Sequence, residues 1–160
     1  MASLSPDIEA KLQAWLDHGV GAGGARSYLR RVQAALNWVP RPAIELAAEH
    51  YGLTFAGLYA DVCFNPEFSL EPRGDRVLEV CQGLACREVG SGDLLTGLER
   101  LCGLKRGETA ADGSASLLGG PCQGRCAMGA NAKLNGQGRC NLGPGDGPGL
   151  LAWLRGAELP

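Results

Sequence analysis

The sequence predicts an α+β chain: a small helical bundle, then a small open sheet with flanking helices. Three observations carry that reading. Apolar residues up to about position 63 recur at helical spacing in short segments. Glycine, 25 residues in all, lies mostly after position 83, which suggests a compact first part and a loop-rich second part. After position 75 the helical pattern gives way to short strand-like runs separated by turn residues. The expected boundaries are 1–66 for the bundle, 67–74 for a linker and 75–160 for the sheet domain.

In order along the chain, Ser5-Pro6-Asp7 reads as an N-cap, a proline at N1 and a first-turn acid. Ile8, Leu12, Trp15 and Leu16 follow at helical spacing, ending near His18-Gly19, and Gly21 to Gly24 is a break. A second helix, Ala25 to Asn37, places Tyr28, Leu29, Val32, Ala35 and Leu36 on one face, with Arg30, Arg31 and Gln33 opposite. Trp38-Val39-Pro40 stops it. A third helix runs from about Arg41 to Tyr51 with Gly52 just beyond, and Thr54 caps a fourth through roughly Cys63. Asn65 to Gly74, with Pro66 and Pro72, reads as the linker. Arg76 to Cys81 is a strand, Asp93 to Cys102 an amphipathic helix (Leu94, Leu95, Leu98, Leu101) stopped by Gly103, and Pro148 to Leu154 a last helix. Ser114 to Leu118 and Ala132 to Leu134 read as short strands, and Asn135-Gly136 as a tight turn. The order strand, helix, strand, strand, helix suggests a thioredoxin-like arrangement.

Several functions are excluded early. Hydrophobic content of 45% and charged content of 20% describe a globular chain, not a disordered one. A net charge of −2 leaves no basic field for nucleic acid. The longest apolar runs fall far short of a membrane span, so no membrane insertion is expected. Met1 to Lys11 carries Asp7 and Glu9 and no apolar stretch, so neither a secretory signal nor a transit peptide is expected; a cytoplasmic address follows. No glycine-rich turn of the dinucleotide type lies between a strand and a helix.

The chemistry lies in two cysteine pairs, Cys81-x4-Cys86 and Cys122-x3-Cys126, each expected in a Gly-bearing loop rather than on a helix face. A metal site needs thiolates, and deprotonating one free cysteine at neutral pH costs roughly 2 kcal/mol. Four together cost about 8 kcal/mol before repulsion, by the same arithmetic, which a cationic metal centre could offset. Four cysteines in two pairs therefore imply zinc or an iron–sulfur cluster. Structural zinc usually takes tighter knuckles, whereas two well-separated pairs would give each iron of a [2Fe–2S] rhomb its own pair; zinc, or no metal, stays open. The histidines His18 and His50 lie in the helical part, which argues against a Rieske centre and against a Cys–His nucleophile. Neither pair is C-x-x-C, so a dithiol redox role is not expected. Cys63, Cys102 and Cys140 read as non-ligands, Cys102 as a buried thiol. Gly83, Gly124 and Gly129 would let backbone approach sulfur at positive φ or simply form turns, and Arg87 and Arg125 would place cations near the centre.

At this point the residues are similar to a known family. Val80-Cys81-Gln82-Gly83-Leu84-Ala85-Cys86-Arg87, then Leu104 to Thr109 with Asp112-Gly113, then Cys122-Gln123-Gly124-Arg125-Cys126-Ala127, resembles the thioredoxin-like [2Fe–2S] family. That family includes the small iron–sulfur subunit of NADH-dehydrogenase modules and the gamma subunit of NAD-dependent formate dehydrogenases, and related subunits of NAD-linked hydrogenases. Asn37-Trp38-Val39-Pro40 and Tyr51 to Tyr59 resemble its N-terminal bundle, and the Cys81 loop is more similar to the formate dehydrogenase version. Cys63-Phe64-Asn65 stands where the family commonly has Phe-Tyr, and Met128-Gly129-Ala130 where a proline often follows. The resemblance implies a [2Fe–2S] cluster on Cys81, Cys86, Cys122 and Cys126. It also implies single-electron exchange with the FMN of a NAD(H)-binding partner subunit, docking through the helical bundle, and no catalytic residue in this chain. A free ferredoxin-like carrier and a zinc-stapled interaction module are the competing readings.

Overall fold

The computed structural model describes residues 6–17 and 24–157. The expected Ser5 cap, the His18-Gly19 helix end and the glycine break up to residue 23 lie outside the described residues. The chain divides into two units, Met1–Pro72 and Arg73–Pro160.

The first unit is helical. Helices α1 (Pro6–Asp17), α2 (Gly24–Leu36), α3 (Arg41–His50) and α4 (Phe55–Phe64) follow the periodicity of the sequence. Leu12, Tyr28, Leu29, Val32, Val39, Ile44 and Ala47 are fully enclosed between them. The face of α2 is narrower than expected, because Ala35 is exposed and Leu36 only half-buried. The Tyr28 hydroxyl reaches the Leu12 carbonyl at 3.4 Å, and burial, with Tyr51 nearby, pushes its pKa up to about 12. Tyr51 follows α3, Gly52 takes the left-handed conformation at φ +65°, and Thr54 Oγ1 accepts from the Gly57 N–H at 3.2 Å to start α4. Much of the expected linker packs into this unit. Phe68 is buried, the Val39 N–H donates to the Ser69 carbonyl at 2.7 Å, and Arg30 pairs with Glu67 at 2.8 Å. That guanidinium holds the Glu67 carboxyl below the usual range.

The second unit is built on strand β1 (Arg76–Cys81), whose buried Leu78 and Val80 face the core. It pairs in parallel with β2 (Ala115–Gly120) and antiparallel with β3 (Ala130–Leu134), which pairs antiparallel with β4 (Gln137–Leu142). Strand order is β2-β1-β3-β4. A parallel pair needs a crossover, here α5 (Leu84–Glu88) and α6 (Ser91–Cys102). Leu94, Leu95 and Leu98 of α6 join Leu117, Leu134 and α7 (Gly147–Leu154) in one core, while Leu101 stays 45% exposed. The α+β, thioredoxin-like class holds, with four differences in detail. Helix α6 begins two residues before Asp93, β2 and β3 are longer than expected, and the sequence signals neither α5 nor β4. Asn135 (φ +47°) and Gly136 (φ +88°) form the predicted β3–β4 turn. Arg76 ties the first strand to the last helix, donating from Nε to the Leu154 carbonyl and from Nη2 to the Trp153 carbonyl, each at 2.7 Å. No helix among the described residues is long and apolar enough to cross a membrane.

Candidate metal centre

The sheet delivers both cysteine pairs to one end of β1 and β2. Cys81 is the last residue of β1, and β2 ends at Gly120, its register partner, two residues before Cys122. The expectation of two loops is thus corrected. Cys81 belongs to a strand, Cys86 to the one-turn helix α5, and Cys126 opens a 3₁₀ turn, Cys126–Met128. A strand end is stiffer than a loop, so Cys81 is held by the sheet ladder itself.

The four cysteines gather at this end of the sheet. Cys122 Sγ and Cys126 Sγ lie 3.4 Å apart, and Cys81 is near enough to influence the proton affinity of both Cys86 and Cys122. Gly83 makes this possible: a Cβ there would stand 3.1 Å from Cys122 Cβ and 3.5 Å from its sulfur. Its φ is −61°, so close approach, not a left-handed backbone, is its use. Gly124 (φ +77°) and Gly129 (φ +72°) do adopt the expected positive φ.

Burial splits the set. Cys81 and Cys86 are 0% and 1% exposed, whereas Cys122 and Cys126 are exposed. Burial pushes the Cys86 thiol up, Cys81 beside it adds to this, and the side-chain and backbone N–H groups of Asn131 pull it part of the way back. The Gly124 N–H, 3.5 Å from Cys122 Sγ, draws that thiol down with help from Cys126, and the same contact holds Cys126 up. Within this pair Cys122 therefore gives up its proton more readily than Cys126.

Around the sulfurs the fold is polar. Gln123 Nε2 donates to the Glu79 carbonyl at 3.2 Å, tying the second cysteine turn to β1. Glu79, nearly buried, faces Lys133 Nζ at 3.0 Å, an ion pair whose angle is not that of a hydrogen bond. Its carboxylate occupies the space over Gly120 where any side chain would sit. Arg125, expected to hold a cation at the centre, turns its Nη1 to Cys140 Sγ at 3.5 Å. Cys140 is thereby its partner on β4. Cys102 is half-buried, with Sγ 3.8 Å from the Leu104 carbonyl, and Cys63 is exposed. His50 is exposed and packs edge-on against Tyr51 at 4.8 Å, far in sequence from any of the four paired cysteines; His18 lies outside the described residues. Asn131 is the site residue that the sequence reading missed.

The donor set fits a dinuclear centre. A sulfide-bridged pair of irons asks for two thiolates at each iron, and the two cysteine pairs gathered here supply four.

Residues 23–151 match the thioredoxin-like [2Fe–2S] ferredoxin family. An E-type chain of the NADH-quinone oxidoreductase of Rhizobium meliloti is 32% identical over 120 residues, 75% of this chain and 71% of its own length. The E-type chain of the NADH-quinone oxidoreductase of Escherichia coli is 29% identical over 123 residues, 77% of this chain and 74% of its own. A solved NAD+-reducing [NiFe]-hydrogenase in its H2-reduced state shares the fold at a TM-score of 0.68 and 16% identity. That match covers 86% of this chain, which spans only 23% of the hydrogenase chain's length. Members of the matched family carry a [2Fe–2S] cluster, and this chain belongs to the thioredoxin-like [2Fe–2S] ferredoxin family.

Proposed function

We propose that Cys81, Cys86, Cys122 and Cys126 ligate one [2Fe–2S] cluster, and that this chain is the electron-transfer subunit of a NAD(H)-linked oxidoreductase complex. The observation that supports it most is the gathering of four cysteines, two buried and two exposed, at the end of β1 and β2. When bound, the cluster accepts and releases single electrons. The chain's own residues do the rest. Cys81 and Cys86, enclosed by the sheet and α5, keep water from one side of the site. Cys122 and Cys126 open the other side to a partner; Leu84, on the helix that carries Cys86, and Met128, two residues past Cys126, are exposed as well. Exposed apolar side chains around an otherwise polar site suit a protein–protein contact. The family resemblance makes its electron partner a flavoprotein subunit carrying FMN and binding NAD(H).

The finer assignment is the gamma subunit of a NAD-dependent formate dehydrogenase, supported by the Cys81-Gln82…Ala85-Cys86-Arg87 loop. The named relatives, chains of NADH-quinone oxidoreductases, support a respiratory alternative. Isolation of the native complex decides: a molybdenum or tungsten subunit alongside a flavoprotein supports the formate reading. Membrane subunits, or nickel, would replace it, and recovery of the chain alone as a stable red-brown monomer would make it a free carrier.

A further inference from the structure

One polar side chain at the proposed cluster is out of keeping with its surroundings. Asn131 lies in β3 between Ala130 and Ala132, both fully enclosed, and is itself 1% exposed. Its Nδ2 donates to Cys86 Sγ at 3.3 Å and to the Arg125 carbonyl at 3.0 Å, while Oδ1 is buried with no hydrogen-bond partner. The Arg125 carbonyl can only accept, so it fixes which end of the amide meets the sulfur. An unpaired buried oxygen is destabilising, so an apolar residue would pack better here unless the N–H groups have a use.

The backbone is arranged for this side chain. The β3–β4 register shifts between Ala130 and Ala132, so two residues of β4, Cys140 and Asn141, face one of β3. Asn141 takes φ +57° at this bulge. Bulges re-aim side chains, and this one falls at Asn131. On its other side Cys86 Sγ lies 3.4 Å from the Gly129 carbonyl. A thiol can donate to that oxygen; a thiolate cannot, and then needs a donor from elsewhere.

Building on the cluster assignment above, we propose that Asn131 sets the reduction potential of the centre by donating its side-chain N–H to Cys86 Sγ. Reduction adds negative charge that spreads onto the ligand sulfurs, so an N–H donor stabilises the reduced form more than the oxidised one and raises the potential. The bond lies on the buried side of the site, where water cannot replace it, whereas the exposed Cys122 and Cys126 can be solvated. Asn131 thus acts through the ligand, as a positioning residue.

The test is an EPR-monitored redox titration of the full chain with Asn131→Val. The midpoint is expected to fall by about tenfold in the one-electron equilibrium, about 59 mV, with the thermal midpoint unchanged or raised because the orphaned oxygen is gone. A cluster-loaded variant with an unmoved potential overturns the proposal, as does one that changes thermal stability alone. Pulsed EPR of the reduced, unsubstituted chain, with asparagine side-chain amides labelled with ¹⁵N, tests the bond without any variant. Coupling to nitrogen supports it, and its absence overturns it. A chain that assembles no [2Fe–2S] centre at all sinks the cluster assignment, and this proposal with it.

Discussion

Gly83 decides how near the two cysteine segments can come, because its missing Cβ is the space that Cys122 occupies. Replacing it with valine forces branched methyls against Cys122, and overpacking of this kind costs about 1–3 kcal/mol. Gly83→Val is expected to leave the helical unit folded but to lose most of its iron, read as iron per chain after anaerobic reconstitution. Retention of full iron would show that the two segments need not touch. The four cysteines were legible because their pairing survives in sequence spacing alone. Gly124 and Gly129 were legible for the same local reason, since each lies within three residues of a cysteine and turns the chain there. Gly83 was legible only as a glycine, its reason being a contact with a residue far along the chain. Asn131 was not legible: its partners Cys86 and Arg125 come near only through α5, the second cysteine turn and the β-bulge.

At the scale of elements, local signals located most pieces and tertiary pairing set the remainder. Strand β1 matched its expected bounds because Val77, Leu78 and Val80 sit between Arg76 and the glycine-bearing turn after Cys81. Strand β4 escaped notice because Gln137, Gly138, Arg139 and Asn141 have little preference for strands. It is an edge strand, paired on one side only, and it exists because the Asn135-Gly136 turn folds it back onto β3. Helix α5 spans five residues, too short for periodicity to register. In the first unit Thr54 was readable as a cap, and the structure supplies its bond to Gly57. Thr54→Ala is expected to destabilise the helical unit by about 1 kcal/mol, measured by urea unfolding. The visible spectrum of the cluster, proposed for the other unit, should not change; an unaltered unfolding midpoint would mean that α4 is fixed by packing through Leu58 and Val62 instead.

At the scale of the whole molecule the proposed tasks fall to different units. All four proposed ligands lie in the unit Arg73–Pro160, which has its own enclosed core of Leu78, Val80, Leu94, Leu98, Leu117 and Leu150. The helical unit holds none of them and instead exposes Leu53, Tyr59 and Phe64, the last 89% exposed. Under the proposed function this unit is a docking element. A chain beginning at Arg73 is therefore expected to keep the cluster's absorbance and to fail to co-purify with the flavoprotein subunit. Co-purification at full yield would assign docking to the cluster unit.

A dinuclear iron centre held by the thiolates of Cys81, Cys86, Cys122 and Cys126 is the claim on which the proposed electron transfer depends. EPR of the full chain after one-electron reduction addresses it most directly. An S = 1/2 signal amounting to about one spin per chain, lost when any of the four is replaced by serine and kept when Cys140 is, is the predicted result. A colourless, EPR-silent protein whose four thiolates hold zinc would contradict it.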